Sequence, residues 1–79
     1  MLHVGYENQV AISKIVAIKK YKSKAIRNQV VKEKEKGTLI DMTEGRKTNA
    51  VIYLDNGQLV TSTINPQTLV ERIKKETGG

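Results

Sequence analysis

A single tight turn constrains this chain more than any other feature. Residues 49–64 read NAVIYLDNGQLVTSTI, two apolar runs on either side of Asn56-Gly57. Asn-Gly between such runs is the strongest short hairpin signal, because both residues tolerate the positive φ that a type I′ turn needs. We therefore predict strands over residues 49–55 and 58–64, joined by a two-residue loop.

The register of this hairpin decides which side chains share a face. A two-residue loop pairs Leu54 with Leu59 and Tyr53 with Val60. One face then carries Ala50, Ile52, Leu54 and Leu59, and the other carries Val51, Tyr53, Val60 and Ile64. Both faces are partly apolar, so either one helix covers each face or one face meets another subunit. We favour self-association, because an exposed apolar patch on a small domain usually marks an interface.

The N-terminal half predicts strands followed by a helix. Residues 2–4 and 9–18 are rich in Val, Ile and Ala with partial alternation, which favours one or two strands with a turn or bulge between them. Ser23 is a suitable N-cap and Gly37 a suitable left-handed stop. We therefore predict an amphipathic helix over residues 24–36.

The remaining elements complete a small α+β domain. Residues 39–42 predict a short strand before the hairpin. After the hairpin, Asn65 caps a second helix with Pro66 at its first position, where the missing N–H costs little. Leu69 and Ile73 are four residues apart and form its inward stripe. The predicted fold is a small, mostly antiparallel sheet with a hairpin in the C-terminal half and two short helices, all in one domain of 79 residues.

The charge of the chain is basic and uneven. Among its 79 residues, 14 are Lys or Arg and 8 are Asp or Glu, a net charge of +6. Residues 1–27 hold six basic residues and one acidic residue, whereas residues 28–79 are nearly neutral at +1. Such an asymmetry indicates a positive patch and an anionic partner, although lysine clusters also occur on faces that are simply solvated.

The residue inventory argues against several classes of protein. There are no cysteines and one histidine, His3, so neither a metal site nor a Ser–His–acid set is expected, and no Gly-rich phosphate loop is present. We therefore predict no enzyme activity, no cofactor and no small-molecule substrate. The chain shows no apolar run long enough to span a bilayer and no signal-peptide pattern, so the cytoplasm is the expected location.

Several short motifs follow one another in the second half of the chain. They are Leu39-Ile40-Asp41-Met42-Thr43, Gly45-Arg46-Lys47-Thr48, Ala50-Val51 and Pro66-Gln67-Thr68. In this order and spacing they resemble the RemA family, the regulators of extracellular matrix genes. The N-terminal stretch HVGYENQVAISKIVAI is similar to the opening strands of that family, so the resemblance covers nearly the whole chain.

The resemblance implies a DNA-binding transcriptional regulator of extracellular matrix and biofilm genes that acts as a ring-shaped homo-oligomer. It places the family's basic positions on Arg46 and Lys47 in the turn and on Lys14 in the early strand region. Duplex DNA and further copies of this chain are the expected partners. The chemistry agrees, because arginine offers forked donors to phosphate oxygens and lysine a compact charge. Gly45 allows a tight turn just before them.

Several positions depart from the family pattern: Glu7 and Glu44 add negative charge near loops that are usually less acidic, and Ala25 replaces a common proline. Lys14 and Lys47 stand where arginine is frequent, and Asn49 stands where another basic residue is common. The two lysines keep the charge but lose the bidentate geometry of arginine. A second class of function therefore stays open, a structural or scaffold homo-oligomer that binds RNA, another acidic macromolecule, or nothing.

Overall fold

The computed structural model describes residues 2–5 and 8–76 and shows the predicted α+β class. In this part of the chain the elements follow in the order β1 (Leu2–Gly5), β2 (Asn8–Val10), a 3-10 turn (Ile12–Lys14), β3 (Ile15–Lys20), α1 (Lys24–Lys36), β4 (Ile40–Asp41), β5 (Ala50–Leu54), β6 (Leu59–Ser62) and α2 (Pro66–Glu76). None of the helices in these residues is long and apolar enough to cross a membrane.

The main sheet has four strands in the order β3-β5-β6-β4. Strand β5 is antiparallel to both β3 and β6, whereas β4 runs parallel to β6. Strands β3 and β4 therefore run in the same direction on opposite edges, and α1 is the crossover that parallel strands require. The sheet is mostly antiparallel, as predicted, with one parallel edge. Strands β1 and β2 form a separate antiparallel pair.

The predicted register of the β5–β6 hairpin is wrong by one residue. Tyr53 pairs with Leu59, not with Val60. The loop has three residues, because the Leu54 amide donates to the Gln58 carbonyl at 3.0 Å and the Gly57 amide donates to the Leu54 carbonyl at 3.1 Å. Gly57 has φ +88°, whereas Asn56 does not have a positive φ. This is the pattern of a type I turn followed by a left-handed glycine, which is the other common way to close a hairpin.

This shift moves β6 side chains to the opposite face of the sheet, as a one-residue slip must. Leu59 joins Val51 and the α1 residue Val30 in one buried cluster. The other buried cluster contains Leu2, Ala50, Ile52, Val60 and Leu69, with Ile64 packed against it. One helix thus covers each face. Of the two alternatives offered by the sequence, the single-subunit one accounts for both apolar faces, so these faces do not themselves require a second copy.

Both helices begin where their caps predict. The Ser23 hydroxyl accepts a hydrogen bond from the Ile26 amide at 3.2 Å, and α1 ends at Gly37, whose φ is +75°. At α2 the Asn65 side chain accepts from the Gln67 amide at 2.9 Å. Leu69 is fully buried and Ile73 packs against the same cluster, which confirms the predicted inward stripe.

The N-terminal region is divided more finely than predicted. A single strand over residues 9–18 is interrupted by the 3-10 turn, in which the Lys14 amide donates to the Ala11 carbonyl at 3.0 Å. Strand β3 then begins at Ile15 and carries a bulge at Val16, whose side chain is 68% exposed. The predicted strand over residues 39–42 is shorter, Ile40–Asp41. Part of the predicted turn before β2, residues 6 and 7, lies outside the described residues.

Candidate nucleic-acid interface

The loop between β4 and β5 begins with a tight turn of unusual backbone conformation. Its Arg46 amide donates to the Thr43 carbonyl at 2.9 Å, and the two residues between them, Glu44 and Gly45, have φ of +52° and +76°. Positive φ at both central positions is the signature of a primed turn. Gly45 adopts this conformation at little steric cost, which confirms its predicted role just before the basic pair.

A carboxylate at the end of β4 holds the start of this loop. Asp41 Oδ1 accepts three hydrogen bonds, from the Thr43 hydroxyl at 2.6 Å, the Thr43 amide at 2.9 Å and the Thr61 hydroxyl at 3.0 Å. Bonds to the ionised form favour it, so the Thr43 hydroxyl, followed by the Thr43 amide, lowers the pKa of Asp41 below its ordinary value of 3.8. Both threonines are buried, so the network ties the loop to β6.

A second set of bonds holds the end of the loop. The Asn49 side-chain amide donates to the Thr63 carbonyl at 2.6 Å, and the Asn49 backbone amide donates to the Ser62 carbonyl at 2.8 Å. The Asn49 carbonyl accepts from the Tyr21 amide at 3.0 Å. Asn49, which stands where the RemA family commonly has a basic residue, therefore joins the ends of β3 and β6 to the loop.

The basic pair lies between these two anchors and faces solvent. Arg46 and Lys47 are both exposed. On α1, Lys36 forms an ion pair with Glu33 at 3.9 Å. In the part of the chain that the structure describes, no carboxylate lies within 4.0 Å of the Arg46 or Lys47 cation, so their charge is available to a partner.

Strand pairing brings further cations to the same end of the sheet. Lys20, the last residue of β3, pairs with Ala50, the first residue of β5. Lys22 follows in the turn, and Lys24 is the first residue of α1. We call Lys20, Lys22, Lys24, Arg46 and Lys47 the basic end; all five side chains are exposed.

The sequence showed an excess of charge in residues 1–27 but not which lysines adjoin Arg46. Only the pairing of β3 with β5 would have shown that Lys20 and Lys22 adjoin the β4–β5 loop. That pairing joins residues thirty positions apart and is not visible in any local pattern.

The third predicted site residue, Lys14, is the last residue of the 3-10 turn, just before the other end of β3. Its carbonyl accepts from the Asp55 amide at 2.8 Å, beside the hairpin loop. A strand rises about 3.3 Å per residue, so the six residues from Lys14 to Lys20 span roughly 20 Å. Within one subunit the structure therefore brings Arg46 and Lys47 together and leaves Lys14 apart. The role of Lys14 in DNA binding stays a prediction.

The tyrosines of the described residues do not form a base-stacking platform. Tyr21 and Tyr53 pack against the cluster of Val30, Val51 and Leu59. The Arg27 guanidinium lies 5.8 Å from the Tyr21 ring centre, and the Lys19 ammonium lies 5.1 Å from that of Tyr53. Burial raises the pKa of Tyr53 above its ordinary value of 10.0. Both tyrosines thus take part in packing and in cation–π contacts within the chain.

Comparison with known proteins identifies the family. The sequence profile described as RemA-like, extracellular matrix regulatory protein A-like, matches residues 1–73. The chain belongs to the RemA-like family. The resemblance read from the short motifs is thereby confirmed.

Relatives of this RemA-like protein carry names that indicate regulation. A protein of Dehalococcoides mccartyi strain BAV1, named as a candidate regulatory protein, is 38% identical over 79 residues, which are all of this chain and 82% of that protein. A candidate regulatory protein of Bacillus cytotoxicus is 40% identical over 75 residues, 95% of this chain and 86% of that protein. These names support a regulatory role for the RemA-like chain.

Proposed function

We propose that this RemA-like protein is a transcriptional regulator that binds duplex DNA through basic residues repeated around a homo-oligomeric ring. The observation that carries the proposal is the basic end. Two exposed cations, Arg46 and Lys47, lie side by side on a loop that is hydrogen-bonded at both ends. Arginine and lysine are the side chains that proteins use most against phosphate oxygens.

The charge at the basic end favours phosphate as the ligand. Five cations lie at this end of the sheet, at the end of β3, in the β3–α1 turn, at the start of α1 and in the β4–β5 loop, against two exposed carboxylates, Asp41 and Glu44. Each phosphate contact releases counterions from DNA, so binding strengthens with the number of cations that reach the duplex. One small subunit presents few such contacts. Repetition of the basic end in a ring would supply the rest by raising the effective concentration of each next site.

The sheet has two unlike edges, which favours assembly as a ring. Strand β3 forms one edge and the two-residue β4 forms the other. A contact that joins unlike surfaces of two copies is heterologous, and such contacts close into rings when the rotation permits. Exposed Val16 on the β3 edge adds apolar surface that a neighbouring copy would bury.

A binding titration at several salt concentrations tests the proposal. We expect the logarithm of the association constant for duplex DNA to fall linearly with the logarithm of salt concentration, by about 0.9 for each phosphate contacted. Structured RNA of the same length serves as the matched competitor. Affinity that does not depend on salt would refute the electrostatic mechanism, and tighter binding to RNA than to DNA would favour the scaffold alternative.

Two lysine variants distinguish the basic end from the opposite end of β3. We expect Lys20→Ala to weaken DNA binding, because Lys20 adjoins the loop that carries Arg46. Lys14→Ala removes the same charge from the residue just before β3, roughly 20 Å away. Lys14 contributes only if the assembled ring brings it against the same duplex. An effect of Lys14→Ala without any effect of Lys20→Ala would place the DNA elsewhere.

A further inference from the structure

We propose that Asp41 and Asn49 are positioning residues that clamp the β4–β5 loop at its two ends and so preorganise Arg46 and Lys47 for phosphate. This inference rests on the proposed function. Neither residue supplies positive charge to the interface. Their contribution lies in the hydrogen bonds that they make within the subunit.

The first half of the clamp joins three parts of the chain through one oxygen. Asp41 Oδ1 accepts from both donors of Thr43 in the turn and from Thr61 on β6, all within 3.0 Å. Thr43 and Thr61 are buried whereas Asp41 is exposed, so the exposed carboxylate provides the acceptor that the two buried hydroxyls need. The turn itself closes directly on this anchor, since the Thr43 carbonyl accepts from the Arg46 amide.

Because Asp41 is negatively charged, we assign it a role in positioning the loop and not in contacting phosphate. A carboxylate that faced the ligand would repel phosphate. Asp41 is exposed, but its Oδ1 accepts from three donors of its own subunit, and Arg46 and Lys47 have no carboxylate within 4.0 Å in the described residues. An acidic residue two positions before Thr43 is therefore compatible with a phosphate-binding loop.

The second half of the clamp ties the loop to two strands. Asn49 uses its backbone amide, its carbonyl and its side-chain amide to bond Ser62, Tyr21 and Thr63. Thr43 and Asn49 thus hold the two ends of the segment that carries Arg46, and the Arg46 amide is itself bonded to Thr43. The cost of ordering the loop is then met during folding and not during DNA binding, which increases affinity.

A matched pair of variants at Thr43 tests the first half of the clamp. Thr43→Val keeps the shape but removes the hydroxyl donor, whereas Thr43→Ser keeps the donor. We expect Thr43→Val to weaken DNA binding by roughly threefold to tenfold, the loss that one such hydrogen bond implies, and Thr43→Ser to bind like the parent. The slope of affinity against salt should stay unchanged in both, because no phosphate contact is removed. Arg46→Ala, by contrast, should reduce that slope by about 0.9 for each engaged subunit.

The second half is tested at Asn49, with Asn28 as the control. Asn49→Ala removes the donor to Thr63 and should weaken DNA binding at unchanged salt slope. Asn28→Ala removes the same side chain from the exposed surface of α1 and should bind like the parent. If Thr43→Val fails to fold, the comparison of Asn49→Ala with Asn28→Ala decides the proposal.

Amide hydrogen exchange at Arg46 separates failure of the clamp from failure of the proposed function. Release of the turn should speed exchange of the Arg46 amide in Thr43→Val and leave it unchanged in Thr43→Ser. This readout needs no DNA, so it judges the clamp even if the parent protein binds none. Equal exchange and equal DNA affinity in the two Thr43 variants would overturn the inference, as would a reduced salt slope in Thr43→Val.

Discussion

Arg46 and Lys34 each carry one positive charge on an exposed side chain, but their surroundings differ. Lys34 lies on α1 between Glu33 and Glu35, whose charges offset its field. Arg46 lies beside Lys47 on a turn that is hydrogen-bonded to Thr43. The contribution of a surface charge to binding therefore depends on the charges around it as well as on its own sign.

We therefore expect Arg46→Ala to weaken DNA binding far more than Lys34→Ala. Loss of one charge-assisted hydrogen bond costs on the order of 1.5–3 kcal/mol, and the loss recurs at every subunit engaged with the same duplex. A titration of both variants with one duplex measures the difference. The melting temperature and the oligomer mass should stay close to those of the parent, because an exposed arginine contributes little to the core. A defect that came from unfolding would show that the turn is structural.

Asp41 predicts a specific response of stability to acid. Its pKa is lower in the folded chain than its ordinary value of 3.8, mainly because of the Thr43 hydroxyl. A depressed pKa stabilises the fold above the unfolded value, and this stabilisation is lost as the pH falls through the folded value. The free energy of unfolding should therefore fall below about pH 4, and Asp41→Asn should flatten that part of the profile, because an amide does not titrate.

Urea unfolding at a series of acidic pH values measures this effect. Asp55→Asn is the matched control, since it removes an exposed carboxylate of the hairpin loop for which no hydrogen bond to a threonine is recorded. A profile for Asp41→Asn that is parallel to that of the parent below pH 4 would contradict the assignment.

At the scale of elements, the hairpin loop is set by one glycine. Gly57 has φ +88°, and nothing lies within 4 Å of the position that a Cβ would take. The cost of a side chain there is therefore purely conformational. We expect Gly57→Ala to lower the free energy of unfolding by roughly 1–2 kcal/mol, and Gly57→Asn to cost less, because Asn tolerates the left-handed region. Thermal unfolding of both variants checks the order, and equal stability of the two would exclude a left-handed backbone at Gly57.

The two helices pack in the same way, one on each face of the sheet. Helix α2 buries Leu69 and packs Ile73 against the cluster that holds Ile52 and Val60. Helix α1 buries Val30 and packs Ile26 against the cluster on the other face. The limits of α1 match the sequence prediction, because Ser23 and Gly37 specify them through local bonds.

At the scale of the whole molecule, a helix covers each face of the sheet, so an uncovered apolar face is no longer a reason to expect self-association. Each face of the sheet packs against a helix of the same chain, so a second copy is not needed to cover these faces. Three valines remain exposed among the described residues, Val16 at 68%, Val31 at 49% and Val70 at 39%. They lie on β3, α1 and α2, and we propose each as a candidate contact in the ring.

Native mass spectrometry at micromolar protein tests assembly directly. We expect a species several times the 8.8 kDa of one chain. Lysine placed at Val16, Val31 or Val70, one at a time, should lower the mass where that side chain lies in the interface, because a buried unpaired charge is costly. A clean monomer at this concentration would contradict the ring, and with it the repetition on which the proposed DNA affinity depends.

The sequence by itself determined the features that depend on residues only a few positions apart. The caps at Ser23 and Asn65, the stop at Gly37 and the turn at Gly45 each act through bonds within one turn of chain, so their residue types predicted them. The presence of a hairpin at Asn56-Gly57 followed for the same reason.

Only the tertiary structure decided the relations between distant segments. Asn-Gly is compatible with two loop lengths, and the packing of Leu59 under α1 and of Val60 against α2 accompanies the three-residue one. The length of the loop determined which β6 side chains lie on each face of the sheet. The pairing of β3 with β5 likewise placed Lys20 beside the Arg46 loop and Lys14 at the far end. Such pairings depend on burial summed over the whole sheet, which no local pattern contains.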